Sequence, residues 1–302
     1  MTGYRRTGHR RTGRGRTARS RWKAYAAAAG LGLALGVPVW FRVPWSPLRA
    51  RFSRDVAAMQ VRAAAAGPGG TFTEADFAGL PPAVREFVAR AGFPGTPRMN
   101  HMRIRFTDVA FSRGPATSPM RIDYTQYNSA LEPERLALIE SGMFSVPFEG
   151  YDYYAAGTGG MHGVLGKAVT LFDQRGSEMD QACLATYLAE SLFLPASLLT
   201  GKITFEHVDA HRVAASVSHG GAHVSGEFRF TGDFEMAEFT TRDRAVARPD
   251  GTMEYVPWTA RASGYAVRAD GLRLPTRLQA VWEYPDAPLV YFDGAIGEIA
   301  YG

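Results

Sequence analysis

Glu190 is the residue best placed to do chemistry in this chain. It stands in a helical run from Glu178 to Phe193, and at about 100° per residue it falls on the face that carries Met179, Cys183, Tyr187 and Leu194. Leu184, Leu188 and Leu192 fall on nearly the opposite face, so the helix is apolar on both sides and packed on both. A carboxylate in such surroundings needs a partner or becomes neutral, because an unpaired buried charge is costly. The expected partner is an arginine from the sheet or a backbone N–H, and the expected role is structural before catalytic.

Aromatic residues form the second group. Tyr151, Tyr153, Tyr154, Trp258, Tyr265, Trp282 and Tyr291 are placed either to line a cavity or to fill a sheet core. Trp258, Tyr265 and Trp282, with Tyr187 and Glu190, are the candidate ligand-binding residues. No catalytic residue is assigned.

Three other patterns resemble functional motifs. Gly157-Thr-Gly-Gly-Met-His-Gly-Val-Leu-Gly-Lys167 suggests a phosphate loop, but Met161 stands where the spacing needs Gly, and Ala168 stands where magnesium needs Ser or Thr. A glycine-rich strand and turn is the expectation. His207, Asp209 and His211 would share one face of an unbroken strand, near His219 and His223, and suit zinc. Asp209-Ala210 is turn chemistry, however, which breaks that face. Cys183 is the one cysteine and lies among apolar neighbours, so it is expected to be a buried, inert thiol. Neither a metal nor a cofactor is expected.

The elements that position these residues follow from periodicity. Pro81 and Pro82 suit a first helical turn, Val84, Phe87, Val88 and Ala91 follow on one face, and Gly92 suits the end. Period-2 strands dominate afterwards: Met102-Ile104-Phe106 alternate with arginines, and Val224-Gly226-Phe228-Phe230 with polar residues. Short turns such as Gly220-Gly221 and Asp270-Gly271 indicate an antiparallel meander. The stretch 161–173 reads as one strand and 177–193 as a helix that Ser177 caps. The expected fold is α+β: a curved antiparallel half-barrel of about ten or eleven strands, with two or three helices on its concave face.

Composition excludes several classes. The chain has 302 residues, 46% of them apolar and 21% charged, which is ordinary for a globular protein with a sizeable core. Residues 1–54 carry 13 Lys/Arg and no Asp or Glu, whereas the remainder is acidic by eight charges. That acidic body speaks against nucleic-acid binding. Residues 1–23 read as a disordered basic tail. Residues 24–41 are free of charge and would span about 27 Å as a helix, close to the thickness of a hydrocarbon core.

Trp22, Trp40, Phe41 and Trp45 bracket this run as interfacial anchors do, and bulky residues follow it where a cleavage site needs small ones. An uncleaved single-pass anchor is favoured over a signal peptide. The nine upstream cations place the N-terminus in the cytoplasm and would meet anionic lipid head groups. Residues 42–70 read as a helical neck and a Gly-Pro-Gly-Gly linker, and 71–302 as the extracytoplasmic domain.

From Leu80 the chain resembles a family of uncharacterised bacterial proteins associated with the lipoprotein-carrier half-barrel fold. The stretches that carry the resemblance are Leu80-Pro-Pro-Ala-Val-Arg-Glu-Phe-Val, Tyr187-Leu-Ala-Glu-Ser-Leu-Phe-Leu-Pro195, Pro257-Trp258 with Gly264-Tyr265, Pro275, and Gly294-Ala-Ile-Gly-Glu-Ile-Ala-Tyr301. It covers about residues 78–302. The resemblance implies a fold and an envelope location rather than a reaction, and a lipophilic ligand held between sheet and helices. The chain departs from such carriers in lacking a lipobox cysteine and in having a helical tether, which speaks against free shuttling. The expected function is therefore a membrane-anchored domain that binds or presents a lipophilic ligand. The alternatives are a cavity-less structural or interaction domain of the envelope and an envelope hydrolase using Glu190.

Overall fold

The structure is a computed structural model and describes residues 23, 25, 36–67, 69–112, 114, 117–143, 146–247 and 252–302. One compact unit runs from Trp45 to Gly302; of the unit before it, Met1–Pro44, residues 36–42 are helical. The expected basic tail and most of the expected membrane helix at 24–41 lie outside the described residues. Among the described residues no helix is long and apolar enough to cross a membrane.

The first half of the sheet is a meander of β1 (His101–Phe111), β2 (Met120–Ser129), β3 (Glu134–Met143), β4 (Val146–Ala155), β5 (Thr158–Leu165) and β6 (Val169–Arg175). The second half begins with β7 (Ile203–His207), β8 (Arg212–His219), β9 (Ala222–Phe230) and β10 (Met236–Thr241). A short ribbon, β11 (Ala245–Ala247) with β12 (Met253–Tyr255), precedes β13 (Trp258–Ser263). A second ribbon, β14 (Ala266–Val267) with β15 (Arg273–Leu274), precedes β16 (Arg277–Trp282) and β17 (Leu289–Tyr301). The main sheet has thirteen strands in the order β6-β5-β4-β3-β2-β1-β17-β16-β13-β10-β9-β8-β7, and β17 joins the halves by pairing with β1.

The strand number exceeds the expected ten or eleven. The stretch 161–173 holds parts of two strands, β5 and β6, folded back at Gly166-Lys167, both with positive φ (61° and 64°). Lysine is not a residue whose presence marks that backbone conformation, so the turn is hidden in the sequence.

This topology dictates where the helix lies. The first meander ends at one edge of the sheet, and the second starts at the other edge. The connecting chain must cross from edge to edge, and it does so as α3 (Ser177–Glu190), followed by 3-10 turns at Ser191–Phe193 and Pro195–Leu199. Helix α3 packs against β5 and β9, one from each half of the sheet. Its N-cap position is Gly176 rather than Ser177, whose hydroxyl donates to Glu178.

Two further helices flank the sheet: α1 (Pro47–Ala65) and α2 (Pro82–Ala91), the latter ended by Gly92 in the left-handed region. Helix α2 joins the inner core through Phe87, whose ring lies 6.3 Å from Phe193 and 6.1 Å from Phe230. Helix α1 lies on the opposite face. Its Leu48, Phe52, Val56 and Met59 pack on Leu136, Leu138, Tyr151, Tyr153 and Val164, the outward residues of β3, β4 and β5. The segment expected as a neck is thus a helix seated within the compact unit, not on the concave face. Arg49 fixes it further by pairing with Glu149 (2.7 Å) and Glu140.

One end of the half-barrel is drawn shut. The β4–β5 turn meets the β8–β9 turn so closely that a Cβ on Gly157 would lie 2.5 Å from the Cα of Gly220. Both residues also have positive φ, so glycine is required twice over. Beside this contact the Tyr154 hydroxyl lies 3.0 Å from His219 Nδ1.

Candidate functional site

Alternation along β2, β3 and β4 turns a set of polar side chains inward beneath α3. Tyr124, Gln126 and Asn128 are successive inward residues of β2, Arg135 comes from β3 and Asp152 from β4. Glu190, the last residue of α3, reaches down to them. Its Oε2 accepts from Asn128 Nδ2 (2.7 Å), Gln126 Nε2 (2.9 Å) and Arg135 Nε (3.1 Å). Arg135 Nη1 donates to Asp152 Oδ2 at 2.8 Å, and its Nη2 donates to the Tyr124 hydroxyl. The expected partner of Glu190, an arginine from the sheet, is Arg135.

Side-chain exposure is 5% for Arg135 and 12% for Glu190, so this is a buried ion pair surrounded by neutral hydrogen-bonding groups. Burial lowers the pKa of Arg135, but Glu190, Tyr124 and Asp152 outweigh it and hold the guanidinium well above its ordinary range. Burial pushes the Tyr124 phenol up, so it remains a neutral donor. Burial, with Asp152 beside it, also pushes the Cys183 thiol up. The thiol points at Asp152 Oδ1 from 3.7 Å.

Next to this polar floor lies a cavity of about 140 Å³, or about 830 Å³ with its open approach. Phe106, Met161, Phe193, Trp258, Leu278 and Phe292 form much of its wall. The smaller volume is comparable with that of an apolar cavity that accepts a benzene ring. Arg244 also lines it. Its Nη1 donates to the Ala182 carbonyl and the Thr186 hydroxyl on α3, and its guanidinium lies 4.8 Å over Trp258 and 5.7 Å from the Trp282 ring centre.

The five candidate residues do not converge. Glu190 and Trp258 line the cavity. Trp282 stands behind the wall, stacked on Tyr291 at 5.8 Å. Tyr187 is buried elsewhere, its hydroxyl donating to the Ser129 carbonyl (3.1 Å). Tyr265 donates to the Met236 carbonyl (2.9 Å) and borders a separate pocket with Phe87, Phe234 and Arg273. Tyr151 and Tyr153 face outward under α1, with the Arg51 guanidinium about 5 Å from both rings.

The structure adds Arg135, Asp152, Gln126 and Arg244 to the site. The inward Arg135 and Asp152 were masked in the sequence by Leu136, Leu138, Tyr151 and Tyr153, which look like the core face of their strands but pack under α1. Arg244 follows β10 in an irregular stretch, where periodicity carries no information.

The other motifs resolve into packing. A Cβ on Gly159 would lie 2.6 Å from the Met179 carbonyl, and Gly160 and Gly163 lie under the rings of Tyr153 and Phe172. The glycine run therefore lets α3 and two rings approach β5. His207 ends β7 and His211 precedes β8, with Asp209 capping the intervening turn through His211 N (2.9 Å). The His211 ring packs on Phe234 at 4.9 Å.

No protein of established description matches the chain at a significant level. Among solved structures it is similar to a domain described as an outer membrane lipoprotein-sorting protein from Vibrio parahaemolyticus, at 9% identity and a TM-score of 0.36, covering 72% of this chain and 90% of that one. It is also similar to a DUF1329 family protein from Desulfovibrio piger ATCC 29098, at 12% identity and a TM-score of 0.35, with the same coverage of 72% and 90%. Residues 70–294, which include the whole inner face of the sheet up to the middle of β17, match the DUF6544 family of unknown function, and the chain belongs to that family.

Proposed function

We propose that this protein binds a lipophilic ligand in the cavity between α3 and the concave face of the sheet. The observation that carries the reading is the cavity itself: a wall of Phe, Met, Leu and Trp beside a polar floor that is already internally paired. A wall of this kind favours apolar groups, because removing apolar surface from water contributes about 25 cal/mol per Å². Glu190 Oε2 accepts three donors and is held in place, which suits a carboxylate that fixes the floor rather than one that reacts. Glu190 and Trp258 belong to the ligand-facing wall in this reading, Trp282 supports it, and Tyr187 and Tyr265 have no part in it.

The location forms part of the same proposal. The uncharged run 24–41 beneath nine cations supports a single-pass anchor with its N-terminus in the cytoplasm and the sheet domain outside. The basic tail then meets anionic lipid head groups. Full-length protein should fractionate with membranes at its unprocessed mass; a mature species beginning near Ala66 would contradict the anchor.

Photolabelling tests the ligand reading. The full chain in lipid nanodiscs is irradiated with a ten-carbon alcohol carrying a chain diazirine, and labelled peptides are mapped by mass spectrometry. Saturable labelling of peptides containing Met161, Trp258 or Leu278, lost in the cavity-filling Ala260→Phe variant, is the expected result. Labelling confined to residues 24–41, or unchanged in Ala260→Phe, would contradict it.

A further inference from the structure

Resting on the cavity reading above, we infer that the ligand is a lipophilic anion whose carboxylate head is held by Arg244. Among the described residues three guanidinium groups line the cavity, and they differ in how they are matched. Arg135 is taken up by Glu190 and Asp152. Arg261 pairs with Glu283 at 2.7 Å. Arg244 has no carboxylate partner among the described residues; its partners are the Ala182 carbonyl, the Thr186 hydroxyl and, at 3.5 Å, the Tyr291 hydroxyl.

The donors left over have a specific geometry. Both contacts with α3 use Nη1, the long Tyr291 contact uses Nη2, and Nε is shut off from solvent without a hydrogen-bond partner among the described residues. The Nε–Nη2 edge of a guanidinium presents two parallel N–H groups, the spacing that takes the two oxygens of a carboxylate. Leaving a buried N–H unmatched is unfavourable, so an acceptor that reaches this guanidinium, with a shift of the side chain that uncovers Nε, is favoured.

The neighbouring rings flank the guanidinium. The guanidinium packs over Trp258, with Trp282 on its border, and Trp258 Nε1 donates to the Tyr291 hydroxyl at 3.0 Å. Stacking on indole stabilises a partly desolvated cation without consuming its in-plane donors. The two carboxylates of the floor already meet Arg135, which leaves Arg244 as the cation available to an incoming acid. The carboxylate then sits on Arg244 and the chain or ring of the ligand lies against Phe106, Phe292 and Leu278.

The test compares matched photoprobes on the full chain in nanodiscs at pH 8: a ten-carbon diazirine fatty acid and the corresponding alcohol. The acid should label the cavity peptides half-maximally at a concentration at least tenfold lower than the alcohol. Arg244→Gln should bring the two concentrations together, and Arg244→Lys, which keeps the charge but not the fork, should retain part of the difference. Equal labelling by acid and alcohol in the wild type overturns the assignment whether or not the variants fold, and so does a preference for the acid that survives Arg244→Gln in a variant with unchanged thermal midpoint. Labelling of the cavity by the alcohol with no preference for the acid rejects the role of Arg244 alone. Labelling by neither probe rejects the cavity reading and this inference with it.

Discussion

Arg135 is the residue on which the inner polar floor depends, because it meets two carboxylates and a phenol from a position with 5% side-chain exposure. Removing it leaves Glu190 and Asp152 without their cation in a largely dry site. Arg135→Met should therefore lower the stability of the full chain by about 3–5 kcal/mol in urea unfolding. Glu190→Gln keeps an acceptor for Arg135 and leaves its pair with Asp152 intact, so it should cost about 1 kcal/mol. Equal midpoints for wild type and Arg135→Met would remove the network from the account. Cys183 supplies a pH test. Its folded-state pKa is raised, first by burial, so its contribution is present below the unfolded thiol value of about 8.5 and is lost as pH rises above it. Stability should fall between pH 8.5 and 10, before unfolded tyrosines ionise, and Cys183→Ala should flatten that decline. An unchanged slope in the variant would show that the thiol is not the group involved.

At the scale of elements, the sheet is explained by which faces are covered. Met102, Ile104 and Phe106 on β1 and Val224, Phe228 and Phe230 on β9 are buried as their alternation implies, because those strands have one core face and one wet face. The rule fails on β3 and β4, where α1 covers one face and α3 lies above the other. There the apolar alternation of Leu136 with Leu138 marks the outer face, and the inner face carries Arg135 and Ala137. The sequence disclosed the helix, its apolar sides and the need of Glu190 for a partner. It did not disclose which arginine, because that depends on the seat of α1. Phe52 anchors α1 against Tyr127 and Tyr151, with ring centres 6.1 and 5.9 Å away. Phe52→Ala should cost about 3 kcal/mol, whereas Val61→Ala, on the exposed side of the same helix, should be nearly neutral. Equal effects in thermal unfolding would mean that α1 is not a structural part of the sheet domain.

For the whole molecule, connectivity and cavity meet in one place. Two meanders joined at β1 and β17 leave the chain to cross from edge to edge as α3, and that crossing roofs the inner face and creates the cavity. The half-barrel was legible as repeated period-2 runs with short turns, and a pocket followed from a curved sheet under helices; its size and lining were not legible, because they depend on how far α3 stands off the sheet. Trp258 is both a wall residue and a spectroscopic reporter, which allows a direct measurement. In a full chain whose other four tryptophans are replaced by phenylalanine, a brominated ten-carbon alcohol quenches Trp258 only by reaching it. The account predicts saturable quenching with a stoichiometry of one in protein embedded in nanodiscs, abolished by Ala260→Phe. Quenching that rises linearly with probe, or that is the same in Ala260→Phe, would contradict the claim that this cavity binds a lipophilic molecule.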